Sequence, residues 1–132
     1  MDRICHVIRP DSTFEGKQGL TYGAGIAAET TGSLGICMHL LTIPPGGQAR
    51  TYLHRDHETA IYMLSCEAET RYGDALEHGV TVRAGEFLYI PAGVPHLQMN
   101  RTDRPCTCVL ARTDPNEQES VVLRPDLDGL VP

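Results

Sequence analysis

Residues 85–100 read GEFLYIPAGVPHLQMN, and more of the architecture follows from this stretch than from any other. Phe87 to Ile90 has the aromatic and β-branched content of a strand. A Pro-Ala-Gly-Val-Pro turn follows, in which Pro91 sets φ and Gly93 accepts the positive φ of a sharp reversal. On the returning strand His96, Gln98 and Asn100 share one face, because side chains alternate with a period of two. A histidine aimed by a rigid turn into a barrel interior suits a metal ligand or an acid/base. The same spacing also serves a hairpin whose histidine is polar filler.

The chain has 132 residues, which predicts one domain with a core large enough to stand without disulfides. A formal net charge of −6 and no Lys/Arg run argue against nucleic acid as a partner. No window is apolar over a membrane span, and MDRICHVIRP has no signal-peptide core, so no membrane association is expected. Five cysteines, an odd number without a framework spacing, point to reduced thiols and a cytoplasmic protein. Thirteen glycines and nine prolines punctuate the chain so often that short strands are favoured over long helices.

Around the opening stretch the pattern predicts eight to ten strands. Ile4 to Ile8 is the first, followed by a weak strand near Thr21 to Glu29 and a turn at Gly32 to Gly35. ICMHLLTI (Ile36 to Ile43) is a continuous apolar run and predicts a buried strand. Its His39 reads as a core or surface histidine rather than a ligand. Thr59 to Ser65 and Glu67 to Tyr72 are expected to pair as a hairpin around Ser65-Cys66. Val80 to Arg83 and CTCVLAR (Cys106 to Arg112) are further strands. Residues 113–132 form a C-terminal tail with an edge strand at Ser120 to Leu123. Turns at this spacing predict an all-β sandwich or barrel. Tyr62, Met63, Phe87 and Tyr89 are candidates for its lining, and Cys106 and Cys108 read as core or lining thiols.

A second polar group lies upstream: Tyr52, His54, Asp56, His57 and Glu58. Positions 52, 54 and 58 share parity, so Tyr52, His54 and Glu58 project together while His57 faces away. Imidazoles and a carboxylate converging on one point suit a first-row divalent metal with open positions. The alternative is a solvated, charged loop.

Gly85, Pro91, Gly93, His96 and Asn100 match the second sequence motif of the cupins at every defined position. Gly46, His54 and Glu58 fit the first motif, with Tyr52 where that family usually has a histidine and Cys66 near the place of its final glycine. The chain thus resembles a small single-domain bacterial cupin, with core motifs at 46–66 and 85–100. The resemblance implies a double-stranded β-helix, a jelly-roll barrel, over residues 1–132. It also implies a metal site of His54, Glu58 and His96, with Tyr52 as a further ligand, as a phenol acting on substrate, or as the reason the site binds metal weakly. A phenol of ordinary pKa about 10 needs the metal's help to ionise. Cys66 in a glycine turn is expected to cost stability if φ is positive.

The function this implies is a metal-binding enzyme acting on a small organic substrate inside the barrel. The metal is Fe, Mn, Ni, Zn or Cu, and Glu58 or Tyr52 moves protons. A dioxygenase leads, ahead of an isomerase, cyclase or lyase. The alternative is a non-catalytic metabolite- or sugar-binding cupin with a degraded or metal-free site. Such cupins commonly form homodimers, and Ile4 to Ile8 is the segment offered for pairing.

Overall fold

The computed structural model describes residues 3–116 and 121–131. Eleven strands are formed among them: β1 (Thr13–Glu15), β2 (Thr21–Ile26), β3 (Cys37–Ile43), β4 (Tyr52–His54), β5 (Thr59–Met63), β6 (Glu67–Tyr72), β7 (His78–Arg83), β8 (Phe87–Ile90), β9 (His96–Met99), β10 (Cys106–Arg112) and β11 (Val121–Leu123). One α-helical turn, α1 (Ala28–Thr31), and one 3₁₀ turn, Pro125–Leu127, complete the set. No helix among the described residues is long and apolar enough to cross a membrane.

The strands form two antiparallel sheets. One runs β1-β2-β3-β10-β5-β8 and the other β11-β4-β9-β6-β7. Alternation decides which side chains meet between them. On β10 Cys106, Cys108, Leu110 and Arg112 are buried, while the residues between them are half-exposed. On β3 Cys37, His39, Leu41 and Ile43 turn inward. Leu41, Ile43, Ile61, Leu97, Met99 and Leu110 build the apolar core where the two sheets face. This is the jelly-roll barrel that the cupin resemblance implies.

The opening stretch folds as read: β8, a turn in which Gly93 has φ 79°, and β9. Several other expectations are corrected. Ile4 to Ile8 forms no strand. Ile4 and Val7 are largely exposed, and the segment leads to Pro10, whose ring lies against Gly23 on the outer face. Ile36 to Ile43 is not buried on both faces, since Met38 and Thr42 point to solvent and an apolar run cannot reveal which face is covered. The 59–65 and 67–72 strands do not pair. β5 lies between β10 and β8, whereas β6 lies between β9 and β7, so Ser65-Cys66 carries the chain from one sheet to the other. Phe87, Tyr89 and Tyr62 sit on the outside, and of the four proposed lining residues Met63 alone is buried. The C-terminal edge strand is present as β11, with Ser120 outside the described residues.

Cys66 has φ 63°, the left-handed conformation that a glycine takes without penalty. Its side chain is joined to Cys106 as a disulfide, with Cα atoms 5.2 Å apart. Five reduced thiols were expected, and this pair corrects that. The partners stand 40 residues apart and meet because β10 enters its sheet beside the crossover, which no local spacing discloses. Cys5, Cys37 and Cys108 remain free. Thiol titration of the denatured protein should therefore count three groups before reduction and five after it. Five groups before reduction would remove the bridge.

Candidate functional site

The polar interior begins where β4 and β9 meet. Tyr52 and His96 are direct cross-strand partners, so their rings are forced together, with centroids 4.3 Å apart. Two residues on, the same alternation returns His54 to the interior, its ring 5.5 Å from Tyr52 and 6.4 Å from His96. All three are buried. Tyr52 donates its hydroxyl to Gln98 Oε1 at 3.1 Å. His96 Nδ1 lies 2.8 Å from the Val94 carbonyl. A carbonyl only accepts, so Nδ1 carries the proton and Nε2 presents its lone pair. That Nε2 has no hydrogen-bond partner among the described residues.

Burial holds these imidazoles neutral. His96 is pushed down to about 4, chiefly by loss of water. His54 falls to about 2, from burial first and then from the charge of Arg112 and the neighbouring histidines.

Glu58 does not join them. β4 ends at His54 and the chain turns before β5 begins at Thr59, so the shared parity of 52, 54 and 58 is broken between 54 and 58. Thr59 faces inward, and Glu58 consequently faces out, where Tyr89 donates its hydroxyl to Glu58 Oε1 at 2.6 Å. His57 is half-buried at the rim rather than in the interior.

Reading by motif missed the residue that dominates this space electrostatically. Arg112 is 4 % exposed and shares the inward parity of Cys106, Cys108 and Leu110. Its guanidinium interacts with the phenols of Tyr52 and Tyr22 and with the Cys37 thiol. Its charge also depresses His39, His54 and His96. The period-two pattern of CTCVLAR was the signal that could have found it. Nε of Arg112 and both polar atoms of the Gln18 amide have no partner among the described residues. The buried carboxylate Asp114 accepts the Asn116 N–H and makes no ion pair with Arg112.

A divalent metal of the kind the resemblance implies is poorly matched by this donor set. Two neutral imidazoles and a phenol converge, the carboxylate has turned outward, and a buried guanidinium opposes a second cation in the same low-dielectric space. No group of three or more His, Cys, Asp or Glu among the described residues is placed to hold a metal. What the arrangement does offer is hydrogen-bond acceptance at His96 Nε2, donation from Tyr52 and Tyr22, and one positive charge.

The cupin domain model matches residues 39–112, and no curated protein matches the chain. Among solved structures the chain is similar to oxalate decarboxylase from Lactobacillus farciminis in complex with formate, with a TM-score of 0.71 and 19% identity over 85% of this chain and 33% of that one. It therefore spans about a third of that protein. A conserved Klebsiella pneumoniae protein with a double-stranded β-helix domain aligns with a TM-score of 0.63 and 19% identity, over 93% of this chain and 97% of that one. A DMSP lyase from Ruegeria pomeroyi aligns with a TM-score of 0.58 and 21% identity, over 69% of this chain and 44% of that one. At such identities these similarities speak for the fold. The family model covers more than half of the chain and contains Tyr52, His54, His96 and Arg112, and the chain belongs to the cupin domain family.

Proposed function

We propose that this chain is an enzyme acting on a small organic molecule inside the barrel, with Tyr52, His54 and His96 meeting the substrate. The observation that carries the reading is the buried, unpartnered Nε2 of His96 beside the Tyr52 ring. A buried polar atom without a partner costs about 1–3 kcal/mol, a cost the fold recovers when a ligand hydroxyl or acidic C–H lies against it. With Nδ1–H tied to Val94, this lone pair can accept a hydrogen bond, and can take a proton from a carbon or oxygen made acidic by its neighbours. Tyr52 supplies a phenolic proton on the same face, which it donates to Gln98. Proton-transfer chemistry of the isomerase or lyase type suits these groups. Structurally similar proteins include a decarboxylase, a DMSP lyase and a putative sugar phosphate isomerase.

The test is a thermal-shift screen of enolisable and hydroxylated small molecules, run with a chelator present. Compounds that stabilise the native chain should lose their effect in His96→Gln and weaken in Tyr52→Phe. If no stabilising compound responds to either substitution, the reading fails.

A second reading, favoured by the convergence of two imidazoles, is a metal-dependent and dioxygenase-like enzyme with the metal at His54, His96 and Tyr52. Glu58 is the ligand it lacks. Elemental analysis showing one transition metal per chain, lost in His96→Gln, would favour this second reading over the first.

A further inference from the structure

Arg112 is a charged side chain in a place where a charge is expensive. The residue is 4 % exposed, and no carboxylate among the described residues lies within ion-pair distance of it. Burial works against charge on several of the groups around it. The Tyr22 phenol and the Cys37 thiol are pushed up, the Cys108 thiol is pushed up to about 12, and the three interior imidazoles are pushed down. A leucine or threonine at this inward position of β10 would pack without that cost, since an uncompensated buried charge is among the most destabilising features a core can carry. The surroundings also hold unused hydrogen-bonding capacity, namely Arg112 Nε and the Gln18 amide. Arg112 closes β10 at the barrel end where His54 closes β4. Near that end a cavity of about 500 Å³ lies between Arg55, Asp56 and His57 on one side and Asp114, Pro115 and Asn116 on the other, and Arg112 itself is not part of its lining.

We propose that Arg112 anchors a carboxylate, so that the molecule bound in this barrel is a small organic acid in its anionic form. This rests on the reading of the barrel as a small-molecule site and adds the class of ligand. The planar fork of N–H donors matches the two oxygens of a carboxylate in a bidentate pair. The count of charges selects the same class. One guanidinium with no carboxylate in ion-pair distance among the described residues balances one negative charge, whereas a phosphate dianion would carry a second charge into the core unbalanced. With the acid group held by Arg112, the rest of the molecule extends toward Tyr52 and the His96 lone pair.

Acetate and glycolate, both monoanions, serve as probes, with acetamide as the neutral counterpart of acetate and inorganic phosphate as the competing anion. Each is titrated against the full native chain, Arg112→Gln, Arg112→Met and His96→Gln, with melting temperature and calorimetric affinity as readouts. Acetate or glycolate should raise the melting temperature of the native chain, while acetamide and phosphate should not. Affinity for the acids should fall at least about tenfold in both Arg112 variants, the loss expected for a charge-assisted pair. Without ligand, Arg112→Met should melt no lower than the native chain, because it removes a buried charge that has no carboxylate partner among the described residues. A structural arginine would instead show a marked drop in that measurement, which also guards against a variant that does not fold. Unchanged acid affinity in the Arg112 variants overturns the proposal, as does tighter binding of phosphate or acetamide. If acids do not bind but neutral compounds bind in a His96-dependent way, the anion inference falls and the barrel site stands. If nothing responds to His96 or to Arg112, both fall.

Discussion

Acidification of the chelator-treated protein from pH 7.5 to pH 5 should remove about 6 kcal/mol of folding free energy, at 1.36 kcal/mol per pH unit for each of three histidines. His39, His54 and His96 are held neutral in the fold, at about 4, about 2 and about 4, with burial the leading cause each time. In the unfolded chain each titrates near 6.5. The folded values are the lower ones, so between pH 6.5 and 4 the unfolded state binds the additional protons. The stability these groups contribute is fully present above pH 6.5 and drains away as pH falls toward 4. A domain of this size holds roughly 5–15 kcal/mol in total, so the transition should approach spontaneous acid unfolding. Carboxylates titrate lower, which leaves the window to the imidazoles. Urea unfolding followed by circular dichroism at pH 7.5, 6 and 5 measures it, and His39→Gln should remove about a third of the slope. A stability that stays flat between pH 7 and 5 would mean that the histidines are not dry.

The second large effect belongs to Asn100. Its side chain is 1 % exposed and donates to the carbonyls of Ile43 at 2.9 Å and Arg104 at 2.7 Å. Its Oδ1 accepts the N–H of Thr102 at 2.9 Å and the Thr102 hydroxyl at 2.7 Å. One amide thus satisfies the end of β3 and the whole loop that leads into β10. Asn100→Ala leaves the Ile43 carbonyl and its neighbours unpaired inside the protein. At about 1–3 kcal/mol for each orphaned group, the loss should reach about 3 kcal/mol or more, or close to 10 °C in melting temperature for a chain of this length. Thr102→Val, which breaks fewer of these bonds, should cost less. A loss under about 1 kcal/mol in Asn100→Ala would show that water replaces the amide freely.

The sequence made the turn and the two strands around His96 legible because their chemistry is local. Pro91 and Gly93 can serve few purposes other than a reversal, and alternation then aims the histidine. The same locality explains the misreadings. Parity carried Glu58 inward together with His54, but parity holds within one strand, and the chain leaves β4 before Glu58 is reached. The hairpin expected at Ser65-Cys66 was drawn from two adjacent strand patterns, and nothing in either pattern names its neighbour across a sheet. The Cys66–Cys106 bridge escaped for the same reason. Asn100 was seen as part of a motif facing His96. Its contacts show it pinning backbone, a role that becomes visible once Ile43 and Arg104 are in place beside it. Arg112 was overlooked because arginine at the end of a strand is ordinarily a surface residue, and a shared face argues weakly against that expectation until burial is known.

The place of β10 between β3 and β5 bears on how the protein is made. Strands paired across so long a separation are slow to find one another. While a ribosome is still extending the chain toward Cys106, β3 and β5 each present an open edge, and the sheet that contains them lacks its middle. Such edges invite pairing with other chains. The nascent polypeptide must therefore wait, exposed, for a strand that completes the six-stranded sheet, brings Cys106 to Cys66 and delivers Arg112 to the interior in a single late event.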